Sequence, residues 1–172
     1  HQILDANYHR IPVGVDWEDA VYLVMAAIAI RSVRKGRLTL GESLVVLGAG
    51  IVGQLALTLA RLSGAMPAIS VDLDEGRLAH ALRRGADLAI NPTTTDDVVQ
   101  AVCDHCIDDG ARVVIEATGK PAVYPLSVQL APETIEVCDT ATGEVITINE
   151  DEFDPELHSR NTNNCQPPEE EE

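Results

Sequence analysis

The stretch LVVLGAGIVGQLALTLARLSGA, residues 44–65, decides the fold. Four apolar residues, Leu44 to Leu47, run straight into Gly48, Gly50 and Gly53, and apolar side chains then recur at Val52, Leu55, Ala56, Leu59 and Ala60. A short continuous apolar run is how a strand buried on both faces reads, and recurrence at i, i+3, i+4, i+7 and i+8 is the period of an amphipathic helix. Gln54, Thr58 and Arg61 fall on the outward side of that helix, which ends near Gly64. Strand, tight glycine turn and helix follow one another with no polar break.

Working outward, the same alternation repeats. AISVDLDEGRLAHALRRGA predicts a strand at about 68–72 and a helix that Asp74 caps and Gly85 ends. DLAI, residues 87–90, reads as a third strand, and TTDDVVQAVCDHCIDDGA as a third helix with Asp96 and Asp97 near its start. RVVIEATG, residues 112–119, is a fourth strand, followed by a helix starting at Pro121. Strands alternating with helices imply parallel βαβ units, hence an α/β, doubly wound, Rossmann-like sheet, incomplete at four strands. Ahead of it, IPVGVDWEDAVYLVMAAIAIRSVRKG reads as a loop and one helix with Asp16 as N-cap and apolar residues at 20, 23, 24, 27 and 28 facing inward.

Beyond Ala131 the character changes. ETIEVCDTATGEVITINE alternates with period two about Ala141, Thr142 and Gly143, as an antiparallel hairpin does. After Glu152 the chain is polar and acidic, a composition that reads as disordered. The expected organisation is therefore a linker and helix over 1–40, a Rossmann-like domain over 41–131, a hairpin over 132–150 and an acidic disordered tail over 151–172.

The formal net charge of −16 is unevenly spread. Residues 1–132 hold 15 acidic and 11 basic side chains, whereas residues 133–172 hold 13 acidic and one basic. No basic patch marks a nucleic-acid surface. The longest uncharged apolar run, from Ala20 to Ile30, is too short to span a bilayer, and no signal peptide is visible. Four cysteines in 172 residues form no disulfide framework, so the expected compartment is the cytoplasm.

GxGxxG between a strand and a helix, with a carboxylate ending the next strand, is the context in which that motif binds a dinucleotide. Gly48 permits the tight turn, Gly50 lets the pyrophosphate approach the backbone, and Gly53 lets helix and strand pack closely. The phosphates then meet the N-terminus of a helix, where unpaired N–H groups and the dipole favour negative charge. Asp72 follows Gly53 by 19 residues, near the separation of about 20 expected for the residue that reads the adenosine ribose. An unpaired Asp72 repels a 2′-phosphate, so NAD is favoured over NADP, with Arg77 as a cation that softens the preference.

IPVGVDWEDA, GESLVVLGAGIVGQLALTLARLSGA, VDLDEGRLAHALRRGAD and VVIEATGKPA resemble, in order and spacing, the nucleotide-binding half of the zinc-type alcohol dehydrogenases of the medium-chain dehydrogenase/reductase superfamily. The resemblance implies that Gly48, Gly50, Ile51, Val52 and Gly53 carry the pyrophosphate turn. It implies that Asp72 and Arg77 bracket the ribose and that Ala117, Thr118 and Gly119 lie near the dinucleotide. It implies hydride transfer between an alcohol and NAD in the full enzyme, with zinc activating the oxygen. The family's zinc ligands come mostly from a domain that would precede His1, and Leu23, Val24 and Met25 stand where a further ligand often lies. None of these three binds zinc. The resemblance also breaks off near Ala131, as in a truncated or fused chain.

The expectation is thus an NAD-binding domain without metal or catalytic residues, inactive alone. Its expected partners are a dinucleotide and either a second copy of the chain or the family's catalytic domain. The alternative reading is a non-enzymatic binding or structural module. Cys103 and Cys106 form a CxxC, but helical spacing with Val99 and Val102 points both sulfurs into the core rather than at a metal. His80 reads as a surface residue, and Glu116 as a structural residue at a strand end.

Overall fold

The computed structural model describes residues 10–107 and 110–131, together with the backbone of three strands at 134–139, 145–149 and 158–159. Strand β1 spans Leu44–Leu47, β2 Ala68–Val71, β3 Leu88–Ile90 and β4 Val113–Glu116. They form one parallel sheet in the order β3-β2-β1-β4. The expected α/β, Rossmann-like sheet is what the chain forms. Helix α3, Ile51–Leu62, crosses from β1 to β2, α4, Glu75–Arg83, from β2 to β3, and α5, Val98–Cys103, from β3 back past β1 to β4. A 3₁₀ turn over Pro121–Val123 leads into α6, Tyr124–Gln129.

The alternation along β1 explains why it lies at the centre. Leu44 and Val46 point into one apolar cluster with Ala29, Ala56, Leu57 and Ala60, while Val45 and Leu47 point into a second with Ile69, Ile90, Val102 and Leu130. All four β1 side chains are at most 1% exposed. Burial on this scale stabilises by about 1.5–3 kcal/mol per side chain, and it requires cover on both faces of the sheet. Helices α2 and α3 supply it on one face, α5 and α6 on the other.

The N-terminal helix departs from the expectation. Two helices form, α1 over Trp17–Ala20 and α2 over Leu23–Lys35, separated at Val21 and Tyr22. Asp16 stands at the N-cap of α1 without a side-chain hydrogen bond. The buried residues of α2 are Ala29 and Val33, not those at 23, 24, 27 and 28, which are exposed. The cause is its partner: α2 packs on α3, where Ala56 and Ala60 let small residues of α2 approach closely.

Helix α5 is shorter than the spacing suggests. Its one fully buried side chain is Val102, and Cys103 and Cys106 are both half-buried, Cys106 packed against the second cluster. Strands β5, Thr134–Asp139, and β6, Val145–Asn149, pair antiparallel with Thr134 opposite Asn149, so the expected hairpin strands form. Its turn at 141–143 lies outside the described residues. Within the segment expected to be disordered, His158 and Ser159 instead form β7, paired antiparallel with β5. Backbone pairing there offsets ordering entropy that the composition alone does not. The rest of 151–172 lies outside the described residues.

Candidate functional site

The connection from β1 runs through α3 to β2 on one side, and β4 lies on the other side of β1. The carboxyl ends of β1 and β4 are thus a switch point of the sheet, the place where open α/β sheets leave a crevice. Leu47 and Glu116 are register partners there, so the turn after β1 and the turn after β4 face each other.

Gly48 leaves β1 at φ +95°, and a Cβ on it would lie 2.9 Å from the Thr118 methyl and 3.0 Å from the Ala117 carbonyl carbon. A Cβ on Gly53 would lie 1.8 Å from the Gly48 oxygen. These two glycines are required by the protein's own packing. Gly50 is different: its backbone is extended, and a Cβ there would meet nothing within 4 Å. The space beside Gly50 is open to another molecule.

Gly50 is also the N-cap of α3, and it brings no side-chain acceptor to the first turn, which holds no acidic residue either. The first N–H groups of a helix have no intrahelical acceptor, and those of the α3 first turn receive no side-chain cap at the positive end of the dipole. An anion with several oxygens fits such a place.

Asp72 stands just after β2, 10% exposed. Its Oδ2 accepts from the Ala49 N–H at 2.7 Å and its Oδ1 from the Asp74 N–H at 2.9 Å. Arg77 Nη1 lies 3.8 Å from Oδ2, on a side chain 58% exposed. Asp72 therefore fastens the glycine turn to the end of β2, and its two oxygens retain further lone pairs for a hydroxyl donor. Sequence reading assigned only the second of these tasks. Gln54, placed by periodicity on the outward side, is half-buried and hydrogen-bonds back to the turn.

On the facing turn, the Glu116 carboxylate accepts from the Thr118 N–H at 2.6 Å and from the Thr118 hydroxyl. The Thr118 oxygen in turn accepts from the Lys120 N–H at 3.0 Å. Glu116 thus shapes the turn through Ala117 and Thr118, the structural role expected of it, and Gly119 is exposed beside them. The structure brings residues 48–53, Asp72, Arg77 and 117–119 to one edge of the sheet. A cleft of about 1290 Å³ runs from Gly50 and Ile51 past Arg77 toward Trp17, Tyr22 and Leu23.

His80 is exposed on α4, as expected. Among the described residues no group of three or more His, Cys, Asp or Glu side chains is placed to hold a metal ion, and Leu23, Val24 and Met25 lie exposed at the start of α2. Nor is any helix among them long and apolar enough to cross a membrane.

Residues 52–134 match the family model described as zinc-binding dehydrogenase. D-guloside 3-dehydrogenase of Escherichia coli K12 is 37% identical over 115 residues, covering 66% of this chain and 33% of that protein. Among solved structures, an alcohol dehydrogenase of Thermus sp. ATN1 superposes with a TM-score of 0.68 at 28% identity, over 73% of this chain and 37% of its own. A zinc-binding dehydrogenase of Sinorhizobium meliloti 1021, solved bound to NADP, gives 0.66 at 28% identity over 72% and 36%. The chain spans about a third of the length of the first curated relatives it matches. By sequence and by fold, the chain belongs to the zinc-type alcohol dehydrogenases of the medium-chain dehydrogenase/reductase superfamily, as an alcohol-dehydrogenase-like oxidoreductase domain of the nucleotide-binding kind.

Proposed function

We propose that this chain binds a dinucleotide, NAD in preference to NADP, across the turns after β1 and β4. The observation that carries the reading is Gly50: the one glycine of the motif with open space where a Cβ would stand, at the start of a helix with no side-chain cap. The N–H groups of Ile51, Val52 and Gly53 at the α3 start would hold the pyrophosphate. Asp72 accepts from the adenosine ribose hydroxyls with the lone pairs its two backbone donors leave, and Ala117, Thr118 and Gly119 border the dinucleotide beyond. The Asp72 carboxylate disfavours a 2′-phosphate, and the nearby Arg77 tempers that preference.

In a whole enzyme built on this domain, the bound dinucleotide would supply the hydride acceptor for oxidation of an alcohol. The described residues do not fit a zinc ion, so no step is assigned to one, and this chain's part is to bind and orient the cofactor. The exposed apolar side chains Leu23, Val24, Met25 and Ile28 support a further domain or a second copy covering α2. A cytoplasmic setting suits four cysteines with no framework spacing.

Thermal denaturation of the chain with and without NAD tests the reading. Binding that saturates at 100 times Kd stabilises by about 2.7 kcal/mol and raises the melting temperature. Asp72→Ala should shrink that rise. No rise at millimolar NAD would sink the proposal.

A further inference from the structure

Gln54 stands one residue past the last glycine of the turn, and dinucleotide binding by backbone and Asp72 makes no use of its side chain. Its Nε2 donates to the Ala49 carbonyl at 3.3 Å and to the Arg77 carbonyl at 2.9 Å. The Ala49 N–H donates to Asp72 Oδ2, and Arg77 Nη1 lies 3.8 Å from that same oxygen. Asp72, Ala49, Gln54 and Arg77 therefore close a ring. It joins the phosphate-facing turn, the end of β2 and the first turn of α4.

The amide is held in one orientation. Its Oε1 is buried with no hydrogen-bond partner among the described residues. Turning the amide over would bring that oxygen against two carbonyl oxygens, which cannot donate. A buried acceptor without a donor is unfavourable, so the bonds to the two carbonyls determine how the side chain sits.

We infer that Gln54 is a positioning residue that tethers the first turn of α4 to α3 and thereby sets how far the site discriminates between NAD and NADP. The inference rests on the dinucleotide reading and deepens it. A ribose 2′-phosphate is repelled by Asp72 and attracted by the Arg77 guanidinium, so its net effect depends on where that guanidinium lies. Gln54 holds the backbone that carries it. Without the amide, α4 loses this tether, the guanidinium can leave Asp72, and the carboxylate's repulsion is less offset. NADP then suffers more than NAD.

The test is calorimetric titration of NAD and NADP on the full 172-residue chain. Wild type is compared with Gln54→Met, Arg77→Ala and the double variant, and weak NADP binding is read by competition against bound NAD. Methionine keeps the length and volume of glutamine and removes both donors. The expected result is that Gln54→Met weakens NADP about threefold to fivefold more than NAD, the scale of one exposed charge contact. In the Arg77→Ala background the same substitution should leave the ratio unchanged, because no guanidinium is left to position. Equal weakening of both dinucleotides, no weakening, or a ratio change that persists without Arg77 overturns the inference. If Gln54→Met does not fold, Gln54→Leu, an uncharged side chain of similar size without donors, reads the same ratio. Wild type that binds neither dinucleotide brings down the dinucleotide reading and this inference with it. Wild type that binds, with a ratio indifferent to Gln54, brings down the inference alone.

Discussion

The three crossover helices of the sheet begin in two different ways. Helix α4 starts at Asp74, whose Oδ1 accepts from the Arg77 N–H at 2.9 Å, and α5 starts at Asp97, whose Oδ1 accepts from the Gln100 N–H at 3.0 Å. Helix α3 starts at Gly50, with no side-chain acceptor and no acidic residue in its first turn. A capping carboxylate and a bound phosphate compete for the same N–H groups and the same end of the dipole. Two helices carry their own anion, and the one at the switch point is left to receive one from outside.

The sharpest way to break this comparison is to deny α3 its approach to β1. In Gly53→Ala the new methyl would stand 1.8 Å from the Gly48 oxygen and 3.2 Å from Val46 Cγ1, and neither the backbone nor the buried strand can give way. Overpacking of this kind should cost about 3 kcal/mol or more, read as a lower urea midpoint or failure to fold. A variant as stable as wild type would mean that α3 does not depend on this close approach.

Gly50→Asp separates the two uses of a helix start. The backbone there is extended at φ −72° and ψ −171°, and the new Cβ meets nothing, so aspartate can cap α3 as Asp74 and Asp97 cap their helices. Stability should hold or rise by about 0.5 kcal/mol, since aspartate improves only modestly on glycine as a cap. The melting-temperature rise with NAD should vanish, because the carboxylate takes the N–H groups and repels the phosphates. If the NAD response survives, the bare start of α3 is not where the phosphates go.

Sequence made this contrast visible only in part, and the reasons are physical. Leu44 to Leu47 could be read as a strand because continuous apolar character and the glycines behind it agreed, and both follow from one local geometry. The cap Asp74 was legible, and Asp96 and Asp97 were placed near a helix start, because capping acts within three residues. Helix α2 was misread because LVMAAIAI is apolar on every side, so periodicity does not choose a face. What chose it was the small-residue surface of α3, a tertiary fact. Gln54 was missed for the same reason: its meaning depends on Arg77, 23 positions on, which only the folded βαβ unit brings within reach. Asp72 was found for its spacing from the glycines, yet its bond to Ala49 depends on two strand ends lying side by side.

Asp97→Ala is the mildest of these changes and completes the contrast. Asp97 is exposed at the start of α5, after β3, which β2 separates from β1 in the sheet. Its bond to the Gln100 N–H is local, and alanine offers that N–H no acceptor. The loss should be about 1 kcal/mol, read as a lower urea midpoint with an unchanged denaturant slope. The NAD-induced rise in melting temperature should keep its wild-type size, because the cap stabilises the folded chain with and without ligand alike. A cap at α5 thus acts on folding only, whereas the same carboxylate at Gly50 acts on binding. If Asp97→Ala instead diminished the NAD response, the ends of α3 and α5 would be energetically coupled, and the division between self-capped and ligand-capped helices would not hold.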